Sequence, residues 1–198
     1  MERIAAIIAA MRPKQWIKNL IVFAGYIFSI GERGLHVDSE LVIFSHALLA
    51  FVAFCLVSST VYLFNDISDV EEDRRHPKKS KRPIASGTLP ISGAWILLVI
   101  SGFAGLILAF SLSQAFGYIT LAYLSIFFLY SVRLKRAAIL DVLIIALGFV
   151  LRAVGGAVAV SVGISAWLII CTVFLALFLG FGKRRSEKTA LGDDAIKT

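Results

Sequence analysis

Four oxygen-bearing side chains, Asn65, Asp66, Asp69 and Asp73, fall within one short segment, and a run of bases from Arg74 to Arg82 follows at once. At about 100° per residue of α-helix, positions 65, 66, 69 and 73 lie at roughly 0°, 100°, 40° and 80°, so they share one face. Glu72 borders that face and Glu71 points away. Three carboxylates crowded together repel one another unless a cation sits among them. Mg²⁺ suits hard oxygen ligands, and is typically held by a few carboxylates plus the phosphates of a substrate. The bland alternative is a solvated acidic helix end balanced by the bases that follow. Three features favour a metal–phosphate site: the helix end follows an apolar run, the Asn joins the acidic face, and Arg74-Arg75-His76-Pro77-Lys78 comes next. Mg²⁺ and Lys/Arg together neutralise a departing pyrophosphate, which is what a di- or triphosphate ester needs.

The elements that must position this cluster are apolar. The chain has 198 residues, of which 59% are hydrophobic and only 17% charged, with a mean hydropathy of +0.86. A soluble domain carries about a quarter charged residues. Against a spanning length of roughly 17 to 25 residues, six runs are candidate membrane helices: 16–31, which is short and begins at Trp16, then 41–64, 93–112, 115–131, 139–161 and 165–182. Helices are the credible spanning element where no water satisfies the backbone. All 20 Lys and Arg except Arg33 and Arg152 fall on alternate connections or, for Lys18, in the first turn of the run that follows one. The positive-inside rule then puts those connections, both termini and the aspartate segment in the cytoplasm. The expectation is an all-α polytopic bundle in the plasma (inner) membrane, one transmembrane domain over 1–198 with a cytoplasmic aspartate-rich motif and loop at 65–90. The net charge of +7 is absorbed by this asymmetry and implies no nucleic-acid partner. Cys55 and Cys171 lie in apolar runs and suggest neither a disulfide framework nor a metal site. No cleavable signal peptide is evident after Met1.

The pattern N-D-x-x-D-x-x-x-D-R-x-x-P-x-K-x-x-R-P from Asn65 to Pro83 resembles the first aspartate-rich motif of the UbiA superfamily of intramembrane prenyltransferases. Arg12-Pro13-Lys14-Gln15-Trp16-Ile17-Lys18-Asn19, Arg82-Pro83-Ile84-Ala85-Ser86-Gly87, Tyr130-Ser131-x-x-Leu134-Lys135-Arg136, Leu140-Asp141-Val142 and Gly148-Phe149-Val150-Leu151-Arg152-Ala153 are similar to the branch that includes decaprenyl-phosphate phosphoribosyltransferase. The resemblance implies a UbiA-like bundle of nine helices, of which about six are present. It implies transfer of 5-phosphoribose from phosphoribosyl diphosphate to a polyprenyl phosphate, with release of pyrophosphate, in cell-wall arabinan precursor synthesis. Asp66, Asp69 and Asp73 would be catalytic and, with Asn65, would hold Mg²⁺. Lys14, Lys18, Arg74, Lys78, Arg82, Tyr130, Lys135, Arg152, Lys183 and Arg184 would bind substrate. Aromatic prenyltransferases of the superfamily carry a second acidic motif after the sixth span. Here that place reads Gly182-Lys183-Arg184-Arg185-Ser186-Glu187, which shifts the expectation from a prenyl diphosphate donor to a phosphorylated sugar donor. A plain membrane anchor is the other reading of those bases.

Within the fifth run, Asp141 and Arg152 are eleven residues apart and so within about 20° around a helix axis. Arg152 at membrane depth needs a cavity or a partner: the cavity role is favoured over an ion pair, and Asp141, nearer the boundary, is read as solvated. Lys14 and Lys18, one turn apart, face either anionic lipid or a substrate phosphate. His76 is a phosphate contact or a loop residue, and Trp16, Trp95 and Trp167 are interface or packing residues. The rivals are a prenyltransferase acting on an aromatic acceptor and a non-catalytic transporter or scaffold. Further C-terminal helices, an additional chain or a homo-oligomer is expected to complete the bundle.

Overall fold

The computed structural model describes residues 2–33, 37–134 and 138–195, and every regular element among them is helical. In chain order these are α1 (Glu2–Ala10), a 3₁₀ segment (Pro13–Val22), α2 (Phe23–Arg33), α3 (Val37–Ser68), α4 (Val70–Arg75), a single 3₁₀ turn (Lys79–Lys81), α5 (Ile91–Leu112), α6 (Gln114–Leu129), a π-helical turn (Tyr130–Leu134), α7 (Ala138–Ala159) and α8 (Ala166–Ala195).

Four helical stretches among the described residues are long and apolar enough to cross a bilayer: Glu40–Ser68, Ile91–Leu112, Gln114–Val132 and Leu140–Ala159. They coincide with the second to fifth runs expected from the sequence. The sixth run is the apolar portion Ala166–Gly182 of α8. Large apolar side chains point outward, among them Phe103, Ile107, Phe174 and Phe178, each more than 60% exposed. Water would penalise such a surface and lipid does not. The chain is an integral membrane protein.

The first run differs from expectation. Residues 16–31 are not one α-helix but the 3₁₀ segment followed by α2. A 3₁₀ helix has three residues per turn, so residues at i and i+3 eclipse. Trp16, Asn19 and Val22 therefore make a single stripe. Trp16 Nε1 donates to Ser59 Oγ at 3.1 Å, while Asn19 and Val22 are fully buried. A Cβ on Gly156 would stand 2.0 Å from the Val22 carbonyl oxygen, so this segment lies directly on the α7 backbone. The three-residue period of the polar and buried positions overrode the α-helical period. At about 2.0 Å per residue the ten 3₁₀ residues also reach farther than an α-helix would.

Helix α3 is the axis of the molecule, packing along α5 and touching the 3₁₀ segment, α2, α6 and α7. Its inward row of Ala47, Ala50, Ala53, Val57 and Thr60 is buried. These small residues permit close helix approach, as expected where dispersion rather than water exclusion drives association. Gly102 and Gly105 of α5 face Thr60 and Val57, and Thr60 Oγ1 and Ser101 Oγ are hydrogen-bonded at 2.9 Å. Phe54 fills the centre, edge-on to Phe116 and Tyr123 at 5.6 Å each. Ser113 ends α5 in an extended conformation and caps α6, its Oγ accepting from the Phe116 N–H.

The loop after α4 is fixed at both ends. His76 Nδ1 accepts the backbone N–H groups of Lys78 and Lys79. The Pro83 carbonyl oxygen accepts from the Leu89 N–H and from the hydroxyls of Ser86 and Thr88. Gly87 turns the chain at φ 81°, a left-handed conformation that suits glycine. Ile84 and Leu89 plug into a cluster with Ala10, Leu63, Ala94 and Leu98. That plug sets where Arg82 stands.

Candidate active site

The aspartate segment is not one uninterrupted α-helix. Helix α3 ends at Ser68, Asp69 adopts φ −101° and ψ 11°, and α4 restarts at Val70. The ladder survives the break, because Asp69 N–H still bonds the Asn65 carbonyl and Asp73 N–H the Asp69 carbonyl. The four side chains stay in one neighbourhood but do different things. Asp66 and Asp73 are both buried, and Arg82 lies between them, Nη1 donating to Asp66 Oδ1 at 3.1 Å and to Asp73 Oδ2 at 2.5 Å. Arg12 Nη2 donates to the same Asp66 Oδ1 at 2.5 Å, and Lys79 Nζ stands 3.8 Å from Asp73 Oδ1. Asp69 is half-buried.

Asn65 is the informative member. Its Oδ1 is buried without a hydrogen-bond partner among the described residues, and it lines a cavity of about 430 Å³. Such an orphaned oxygen carries a desolvation cost of about 1–3 kcal/mol. It fits a hard cation or a donor arriving in the cavity. Among the described residues no three His, Cys, Asp or Glu side chains converge into a ready-made metal site. Arginines occupy the lone pairs that a metal would use.

Arg12 holds φ 54° and ψ 59°, a left-handed conformation costly for a non-glycine residue. It links α1 to the 3₁₀ segment there, and its guanidinium reaches Asp66 while lying 5.1 Å from the centre of the Tyr62 ring. Backbone strain at this point serves a contact at the acid cluster.

The cavity opens between α3, α6, α7 and α8. Its wall includes Lys18, Tyr62, Asn65, Tyr123, Tyr130, Asp141, Phe149 and Arg152. Of the residues expected to bind substrate, Lys18, Tyr130 and Arg152 therefore face it. The Tyr130 hydroxyl donates to Asp141 Oδ1 across the π-turn. This overturns the solvated reading of Asp141, which is buried. No ion pair joins Asp141 to Arg152: Arg152 instead bonds Asn19, Gly148 and Tyr123. Eleven residues of helix separate the two Cα atoms by about 16 Å, too far for an ion pair.

Other expected residues lie elsewhere. Arg74 is exposed, paired with Glu71 at 2.8 Å and reaching the Ala85 carbonyl, so it braces the loop rather than the cavity. Lys78 and Lys14 are exposed. His76 is the loop residue of its two readings. Trp16 packs internally, whereas Trp95 and Trp167 are exposed. Lys135 and the side chains of Lys183 and Arg184 lie outside the described residues.

Arg12, Asn19 and Tyr123 were not singled out by the sequence as site residues, whereas Lys79 is the lysine of the aspartate-rich motif. Arg12 and Asn19 stand in a quoted motif, but their partners are 54 and 133 residues away in the chain. Tyr123 looks like any apolar-helix aromatic until its hydroxyl is placed.

The comparisons agree with this geometry. Residues 20–184 match the UbiA prenyltransferase family. The chain is 38% identical over 184 residues to decaprenyl-phosphate phosphoribosyltransferase of Mycolicibacterium smegmatis, covering 93% of this chain and 57% of that protein. It is 36% identical over 182 residues to the protein of that name in Corynebacterium glutamicum, covering 91% and 54%. Nodulation protein NoeC of Azorhizobium caulinodans is 30% identical over 186 residues, covering 93% and 58%. The chain thus spans less than two thirds of the length of these relatives. Among solved structures, a UbiA homolog from Archaeoglobus fulgidus bound to GPP and Mg²⁺ superposes with a TM-score of 0.71 at 22% identity, over 87% of this chain and 60% of that one. A digeranylgeranylglyceryl phosphate synthase structure superposes with a TM-score of 0.74 at 21% identity, over 98% and 66%. A bundle of this topology, with two buried aspartates clasped at the edge of an intramembrane cavity, has a plain assignment: the chain belongs to the UbiA prenyltransferase family.

Proposed function

We propose that this chain carries the active-site half of a Mg²⁺-dependent phosphoribosyltransferase, moving 5-phosphoribose from phosphoribosyl diphosphate onto a polyprenyl phosphate at the cytoplasmic face of the plasma membrane. One observation supports this most: a buried acid cluster held by Arg12, Arg82 and Lys79 stands beside a cavity whose wall carries two further cations, Lys18 and Arg152. A prenyl diphosphate needs one cationic pole. A donor with both a diphosphate and a 5-phosphate, meeting a lipid phosphate, needs more.

Asn65, Asp66, Asp69 and Asp73 would hold Mg²⁺. Bound there, the ion would neutralise the charge that develops as pyrophosphate leaves. Arg12 and Arg82 hold Asp66 and Asp73 in place before substrate arrives. When the diphosphate binds, their N–H groups turn to its oxygens, since Arg forms fork-like contacts with phosphate as readily as with carboxylate. Lys18 and Arg152 on the cavity wall, with Lys135, Lys183 and Arg184, contribute cations around the phosphates. Tyr130, tied to Asp141, closes the wall on the α6–α7 side. A lipid phosphate oxygen supplies the electron pair for the new bond to the anomeric carbon, and the bond from that carbon to the diphosphate oxygen breaks with its pair leaving on pyrophosphate. The nucleophile is already anionic, so no general base is required.

The test measures pyrophosphate release by purified protein in lipid nanodiscs given phosphoribosyl diphosphate, a polyprenyl phosphate and excess Mg²⁺. Release that depends on both substrates supports the reading. No release, with turnover instead of a prenyl diphosphate and an aromatic acid, overturns it in favour of aromatic prenyl transfer.

A further inference from the structure

Arg152 is 5% exposed, and its guanidinium donates through Nε to Asn19 Oδ1 at 2.7 Å, through Nη1 to the Gly148 carbonyl at 2.9 Å and through Nη2 to the Tyr123 hydroxyl at 2.5 Å. Its charge also lies over the Tyr123 and Phe149 rings, 4.7 and 5.6 Å from their centres. Every one of these acceptors is neutral, and among the described residues no carboxylate forms an ion pair with it. A guanidinium carries five N–H groups. Three are used, and the residue is part of the cavity wall. A buried cation without a counter-charge is expensive in this setting. The counter-charge that fits is an anion entering the cavity.

Asn19 makes that arrangement stable. It is 0% exposed, its Oδ1 accepts from Arg152, and its Nδ2 donates to Cys55 Sγ at 3.3 Å and to Ser58 Oγ at 3.2 Å. It thereby ties α7 to α3 through the 3₁₀ segment and fixes the fork without neutralising it. A carboxylate at the same place would quench the charge, and an apolar residue would leave Nε without an acceptor.

We propose that Asn19 is a positioning residue that holds Arg152 as the receptor for a phosphate monoester, so that the cavity takes two phosphate groups at different depths. The diphosphate sits at the aspartates. The monoester sits at Arg152, on the wall of the same cavity that Asn65 of the aspartate segment lines. This deepens the phosphoribosyl reading and rests on it. Two substrates there bear a monoester, the sugar donor at its 5-position and the lipid acceptor at its headgroup, and guanidinium chemistry serves either.

The test compares wild type, Asn19→Asp and Arg152→Lys in nanodiscs by equilibrium binding of three probes. These are Mg²⁺ with inorganic pyrophosphate, Mg²⁺ with phosphoribosyl diphosphate, and farnesyl monophosphate. Asn19→Asp preserves shape and the bond to Nε, and the Cys55 thiol and Ser58 hydroxyl can each donate to it. A purely structural Asn19 therefore predicts unchanged binding and equal or higher thermal stability. The proposal expects unchanged pyrophosphate binding and about ten-fold weaker binding of at least one monoester probe, the effect of losing one charge-assisted fork. Weakening of phosphoribosyl diphosphate alone assigns Arg152 to the sugar phosphate, and weakening of farnesyl monophosphate alone assigns it to the lipid. Arg152→Lys keeps the charge and loses the fork, and it answers the same question if Asn19→Asp does not fold. Unchanged monoester binding, or equal weakening of all three probes, overturns the proposal. Because the readout is binding, absence of turnover sinks the phosphoribosyl reading separately.

Discussion

Replacing Arg82 by Ala removes the one guanidinium shared by Asp66 and Asp73. Both carboxylates have side chains at most 3% exposed, while the arginine side chain is 28% exposed. Breaking a buried pair by deleting one partner costs about 3–5 kcal/mol. Two features reduce that here: Asp66 keeps Arg12 at 2.5 Å and Asp73 keeps Lys79 at 3.8 Å. The Lys79 contact is too long for a good hydrogen bond, so Asp73 bears most of the loss. The expected destabilisation is about 2–4 kcal/mol, a fall in melting temperature on the order of 5–10 °C. The assay is a thermal melt in detergent followed with a thiol-reactive fluorogenic dye. Buried Cys55 reports unfolding over a constant signal from exposed Cys171. Mg²⁺ sharpens the experiment. Wild type holds its acids with arginines, so Mg²⁺ alone is expected to shift its melt little. Arg82→Ala leaves an undercompensated carboxylate pair, and Mg²⁺ is expected to restore part of the lost stability. A variant that melts with wild type, or an identical Mg²⁺ shift in both, would refute the reasoning that Arg82 stands where a cation is required.

Three further outcomes are expected. Gly156→Ala places a methyl group against the Val22 carbonyl, 2.0 Å away and on backbone that cannot swing aside. Overpacking of this kind costs about 1–3 kcal/mol, readable in the same melt, and a tolerated alanine would show that the 3₁₀ segment does not rest on α7 as described. Tyr130→Phe removes the hydroxyl from buried Asp141, costing about 1–3 kcal/mol, and is expected to raise KM more than it lowers kcat in the pyrophosphate-release assay. Asp73→Asn leaves Arg82 with Asp66 alone and is expected to lower pyrophosphate release by about 100-fold or more, the scale of losing one preorganised electrostatic contact to a developing charge. Release within a few-fold of wild type would remove Asp73 from the proposed metal set.

The helical architecture was legible because its cause is local. A bilayer demands long apolar runs whatever their neighbours do, so four spans and the aspartate motif could be read from Glu40 to Ala159 in sequence order. The charge alternation likewise needs only a count of Lys and Arg. The 3₁₀ segment was missed because helix type there depends on contacts made across the fold. Trp16 and Asn19 bond α3, and Val22 lies on Gly156 of α7, and none of this is encoded in hydropathy. The same holds for the side-chain partners. The sequence by itself determined that acids, bases and a buried Arg152 would occur on membrane helices. Only tertiary structure decided that Arg82 sits between Asp66 and Asp73, that Asp141 goes to Tyr130, and that Arg152 goes to Asn19. Each of those pairings is settled by which side chain the packing of α3, α7, the 3₁₀ segment and the loop after α4 brings within about 3 Å.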